Sequence, residues 1–118
     1  MSLNIDQIAE AFCSYQFVVT YPYMADEITW NIVGREELMG REAVIDRCNK
    51  SAKFLETVSP TITKLKINRA ETFVVVEGAA QFHDQENQTS NVASCDVFQF
   101  SDKRLVEITS YNVELNKP

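Results

Sequence analysis

Apolar residues recur at Ile5, Ile8, Ala9, Phe12, Tyr15 and Val19, which sets them on one stripe of a helix. Asn4 stands where an N-cap belongs, with Gln7 three residues on in capping-box spacing. Pro22 cannot continue a helix, so this one is predicted to end near Tyr21. Residues 28–33 read as a short strand closed by Gly34, and residues 35–40 as a connecting loop. A second helix is predicted over 41–56, with Val44, Cys48, Ala52 and Leu55 on its apolar stripe and Arg41, Glu42, Asp46, Arg47 and Lys50 largely facing water. Ser59-Pro60 stops it.

From there the period changes to two. Residues 61–69 alternate Leu65 and Ile67 against Lys64, Lys66 and Asn68, and residues 72–82 put Val74, Val76, Ala80 and Phe82 on one face. The polar run 83–89 reads as a hairpin loop. A strand over 90–100, a turn around Ser101-Asp102-Lys103 and a last strand from Arg104 to about Glu114 complete the chain. Helix, short strand, helix and a four-strand meander predict an α+β fold: a strongly curved, cone-shaped, mainly antiparallel sheet with the helices on its concave face. A helix laid across a curled sheet leaves a cavity at one end, a natural small-molecule site. No repeat, low-complexity segment or linker divides the chain, so residues 1–118 read as a single domain.

Asp96 breaks the pattern. It shares a strand face with Val92, Ser94, Phe98 and Phe100, while Asn91, Ala93, Cys95, Val97 and Gln99 occupy the other. A carboxylate among Phe rings must be paired, hydrogen-bonded or kept protonated, because desolvation disfavours its charged form. Such groups cluster at working sites, which makes Asp96 the candidate catalytic residue. The alternative is structural, with Asp96 capping a loop or pairing with an Arg. No Lys or Arg lies within two strand positions on its face, which predicts a raised pKa.

Charge and composition narrow the partners. Eleven Lys and Arg against 17 Asp and Glu give a formal charge of −6, which argues against non-specific nucleic-acid binding. Lys64, Lys66 and Arg69 form the densest basic run, without a stacking aromatic platform, and read as a solvated strand face. No apolar stretch is long enough to span a bilayer and no basic-then-apolar leader opens the chain, so no membrane contact and a cytoplasmic location are expected. Cys13, Cys48 and Cys95 lack C-x-x-C spacing and read as reduced, mostly buried residues. His83 is the one His, beside a loop on the more polar face of its strand, so neither a Cys–His nucleophile nor a metal site is expected, and no cofactor.

Three segments carry a family resemblance. They are Ile28-Thr29-Trp30-Asn31-Ile32-Val33-Gly34 as a first strand, Leu38-Met39-Gly40-Arg41-Glu42-Ala43-Val44 opening the second helix, and Asp96-Val97-Phe98-Gln99-Phe100-Ser101-Asp102-Lys103-Arg104-Leu105-Val106-Glu107-Ile108 as an aspartate-to-hairpin ending. In this order and spacing they resemble the nuclear transport factor 2-like (NTF2-like, cystatin-like fold) superfamily, in its SnoaL-like or ketosteroid isomerase-like branch. That superfamily includes isomerases, polyketide cyclases, dehydratases, non-catalytic binders and protein-interaction modules, so fold alone does not settle function. The resemblance puts Asp96 at the place of the protonated Asp of ketosteroid isomerase. The isomerase's carboxylate base would fall at Asn31, and a neutral amide cannot take a proton as a carboxylate does. Its oxyanion Tyr would fall at Phe12, with Tyr15 one turn later.

The expectation is therefore a pocket for a small hydrophobic organic ligand. Asp96 is its main polar contact, Asn31 a second, and Phe12, Tyr15, Phe54 and Phe98 its apolar walls. Trp30 and Asn31 are strand neighbours, so one of them faces in unless the strand bulges. If chemistry follows, proton transfer of the isomerase, cyclase or dehydratase kind fits Asp96. A homodimer is expected through the sheet face with Phe73, Val75, Glu77 and Gln81. The rival is a non-catalytic protein-interaction or dimerisation module whose pocket is filled by Phe12, Tyr15 and Trp30.

Overall fold

Asn4 caps the first helix, α1 (Ile5–Cys13), with both bonds of the capping box: its side chain accepts from the Gln7 N–H, and the Gln7 side chain accepts from the Asn4 N–H. The structure is a computed structural model and describes residues 2–115; Met1 and residues 116–118 of the expected domain lie outside the described residues. Ile5, Ile8, Ala9 and Phe12 form the buried stripe of α1.

The helix ends sooner than the periodicity predicts. Tyr15 sits at φ 68°, in the left-handed region that interrupts an α-helix, and the Gln16 N–H turns back to the Ala11 carbonyl at 2.8 Å. The aromatic and β-branched run that follows forms a separate 3-10 helix, Phe17–Tyr23, with Pro22 inside it. Thr20 is fully buried there, its hydroxyl bonded to the Phe17 carbonyl at 2.6 Å.

Strand β1 (Met24–Ile32) starts earlier than expected, and the expected loop over 35–40 contains a strand of its own, β2 (Glu36–Met39). Gly34 at φ 83° makes the turn between them, a backbone state that glycine adopts without strain. Helix α2 (Arg41–Leu55) follows at the predicted place, with Val44 and Cys48 buried; Ala52 is exposed, so the apolar stripe is shorter than the sequence suggests. Strands β3 (Ser59–Arg69), β4 (Phe73–His83), β5 (Thr89–Ser101) and β6 (Arg104–Glu114) form the meander, with Ser59-Pro60 opening β3.

The sheet order is β2-β1-β6-β5-β4-β3. Every pairing is antiparallel except β1 with β6, which is parallel, so the fold is α+β with a mixed, mostly antiparallel sheet. That pairing brings the N-terminal strand beside the C-terminal one. One face of the sheet, with Trp30, Val74, Val76, Phe98 and Ile108, joins Ile8, Phe12, Val44 and Cys48 of the helices in the core. Phe12 is its centre, edge-on to Phe17 and Trp30 at 5.1 Å each and to Phe98 at 5.5 Å. No described helix is long and apolar enough to cross a membrane.

Candidate functional site

Beyond Phe12 the helices and sheet do not close, and a cavity of about 330 Å3 remains, within the size range of small-molecule pockets. Alternation on the strands decides its lining. Trp30 and Ile32 face it from β1, Val76 and Ala80 from β4, Val92, Ser94 and Asp96 from β5, and Ser110 and Asn112 from β6. An extra residue at Thr63 shifts the β3–β4 register, so that Ile62 and Leu65 both line the cavity.

Asp96 is the centre of its polar part. Ser110, directly opposite on β6, donates to the carboxyl, and the Cys13 thiol from the end of α1 donates to Oδ2 at 3.6 Å. Ser110 is buried, and its Oγ accepts from the indole Nε1 of Trp30 at 2.9 Å. Trp30, Ser110, Asp96 and Cys13 thus form one chain of donors and acceptors. Burial raises the Asp96 pKa above the ordinary aspartate value, and the bonds from Ser110 and Cys13 offset part of that rise. The ion pairs among the described residues are Arg47–Glu36, Lys64–Glu77 and Arg69–Asp6; Asp96 is in none of them. The alternative of a structural Asp held by an Arg therefore finds no cation.

The neighbours are kept neutral by the same desolvation. Burial, reinforced by the charge and hydrogen bond of Asp96, lifts the Cys13 thiol far above its usual range, which favours its protonated form. Tyr15 lines the cavity, and burial followed by Cys13 and Asp96 raises its phenol too.

The expected site residues divide. Asp96, Phe12, Tyr15 and Trp30 line the cavity, and Phe54 joins them at its mouth, 61% exposed. Asn31 does not: strand alternation sends it to the exposed face once Trp30 is turned inward, so the expected second polar contact is absent from the cavity. Phe98 is fully buried behind Phe12 and forms core, not wall. His83 is exposed outside the cavity, with Nδ1 2.9 Å from the Thr89 hydroxyl. Ser110 and Arg35 carry no sequence signal, Cys13 reads only as a reduced, mostly buried residue and Arg47 as facing water, yet all four line the cavity. At the mouth a wider basin of about 640 Å3 continues outward, and Arg35, Phe54, Phe82, Val92 and Asn112 line both spaces.

No protein-family model and no curated relative matches the chain. Solved structures do. The chain is 32% identical to an NTF2-like protein of unknown function from Cytophaga hutchinsonii, with a TM-score of 0.80 over 90% of this chain and 93% of that one. At 17% identity it shares the fold of an LEH-like epoxide hydrolase from M. tuberculosis, with a TM-score of 0.70 over 92% of this chain and 82% of the other. At 11% identity it shares the fold of a protein from Shewanella putrefaciens provisionally described as a SnoaL-like polyketide cyclase, with a TM-score of 0.68 over 89% and 74% of the two chains.

Proposed function

The chain belongs to the NTF2-like family, and on that premise we propose that it binds a small, mainly apolar organic molecule in the cavity, with Asp96 as the polar contact. One observation carries this reading: a mostly buried carboxyl that is in no ion pair among the described residues faces a cavity of about 330 Å3. Burying such a group is costly, and a protonated carboxyl regains a partner when it donates to a ligand oxygen. Phe12, Tyr15 and Trp30 leave the space open rather than plugging it, which supports ligand binding over a side-chain-filled interaction module. Register shifts occur in β1–β6, β3–β4 and β5–β6, and bulges of this kind would bend the sheet around the cavity.

Proteins that share this fold include one described as an LEH-like epoxide hydrolase and one provisionally described as a SnoaL-like polyketide cyclase, which supports a small-molecule role. In a proton-transfer step of isomerase, cyclase or dehydratase type, Asp96 would pass its proton to a ligand oxygen as negative charge develops there. The steroid-isomerase arrangement is not part of the proposal. Among the described residues Asp96 is the one carboxylate lining the cavity, Asn31 lies outside it, and Phe12 stands where a phenol would be needed.

Calorimetric titration with a neutral aromatic ketone, 2-acetonaphthone, tests the reading. Wild type and Asp96→Asn, which keeps a donor, are expected to bind it, and Asp96→Leu to lose at least about ten-fold in affinity, the worth of one buried hydrogen bond. Equal affinity in all three proteins, or none in any, would remove Asp96 from the site.

A further inference from the structure

The charges around the cavity are not balanced, and their distribution says what the ligand carries. Among the described residues three cationic side chains line it: Arg35, Arg47 and Lys64. Lys64 lies 3.8 Å from Glu77. Arg47 donates through Nε to Glu36 at 3.0 Å and through Nη1 to the Ser51 hydroxyl at 2.6 Å. Arg35 has no ion pair among the described residues. Its backbone is fixed in the β1–β2 turn, the N–H bonded to the Ile32 carbonyl at 2.9 Å, and it borders both the cavity and the outer basin. In a chain of net charge −6, the mouth of the cavity thus carries a guanidinium that is in no ion pair among the described residues.

We propose that the ligand is an organic anion, an apolar body with a carboxylate at one end that meets Arg35 at the mouth and an oxygen at the other end that meets Asp96. This rests on the small-molecule reading of the cavity above. Arg35 is exposed at the mouth, where its guanidinium presents its donors in a fork that matches a carboxylate. Burial raises the Asp96 pKa, which weakens its opposition to an anion at the far end of the ligand. The outer basin also holds Asp84, Glu86 and Glu114. Asp84 Oδ1 is committed to the backbone N–H groups of Glu86 and Gln88, at 2.9 Å each. None of the three lines the inner cavity, whereas Arg35 does.

Three probes with one aromatic body decide the sign: naphthalene-2-acetate, 2-naphthaleneethanol and 2-naphthaleneethylamine, which are anionic, neutral and cationic near neutral pH. By calorimetry the acid is expected to bind about ten-fold more tightly than the alcohol, the scale of one charge-assisted hydrogen bond. Added salt should narrow that gap. Arg35→Gln should abolish the gap between acid and alcohol measured in the same variant, and Arg35→Lys should keep only part of it. The amine binding tightest, or an acid preference that survives Arg35→Gln, would overturn the inference. So would three equal affinities; if the alcohol's affinity then still falls in Asp96→Leu, the small-molecule reading stands without the anion. Failure of all three probes to bind overturns both.

Discussion

Asp96 is held by two donors and no cation, and its protonation has a measurable signature. Its folded pKa lies above the ordinary value of 3.8, so the folded state binds more protons than the unfolded chain between the two values. The stability this group contributes is full below the ordinary aspartate value and is lost as pH rises through the folded value. The melting temperature of wild type relative to Asp96→Asn, which does not titrate, should therefore fall as pH rises through that window, and at neutral pH Asp96→Asn should melt at or above wild type. A difference that is flat with pH, or one that rises, would show that the carboxyl is stabilised as an anion. Ser110→Ala leaves the Trp30 indole N–H and one side of Asp96 without partners, and chemical denaturation should register a loss of about 1–3 kcal/mol, the cost of a buried orphan donor. The same change should raise the Asp96 pKa further, since it removes a bond that lowers it. Asp96 was legible from alternation alone, because a carboxyl on a Phe-bearing strand face is anomalous wherever the strand goes. Its partners were not. Nothing in one strand's pattern says which residue of the next strand stands opposite.

The reason lies in how the elements join. Ser101 pairs with Arg104 across a two-residue turn, and an unbroken ladder from that turn would set Thr109 against Asp96. A register shift beyond Phe100 adds one residue to β6 and sets Ser110 there instead. Ile108, fully buried, hints at the shift, because an unbroken ladder would have turned it outward. The ends of α1 and β1 were hidden by similar local events: a left-handed Tyr15 stops a helix whose apolar period runs on, and Gly34 folds an apparent loop into a hairpin. The long strands and α2 were readable because their patterns persist over many residues. Phe12 joins these levels, since it ends the buried stripe of α1, centres the aromatic cluster and lines the cavity. Phe12→Ala should cost about 3–5 kcal/mol in denaturant unfolding, the range for truncating a core Phe. A loss under about 1 kcal/mol would mean the cluster collapses to fill the gap.

At the scale of the molecule the two sheet faces differ in what covers them. The helices cover one, while the other exposes Phe73, Tyr111 and Val113, at 40%, 48% and 57%. We propose that this outer face pairs with a second copy, as two-fold contacts are the commonest oligomer interfaces. Sedimentation at micromolar concentration should then give a dimer that Tyr111→Lys dissociates, and a monomeric wild type would end the proposal. The covered face holds the cavity, and the central claim is that a ligand there reaches Asp96. A crystal structure grown with 2-acetonaphthone tests that most directly. The account predicts density for the ketone inside the cavity, its oxygen about 2.5–3.0 Å from the Asp96 carboxyl, a hydrogen-bond distance. A ketone bound only outside the cavity, or bound within it while Asp96 contacts nothing but Ser110 and Cys13, would contradict it.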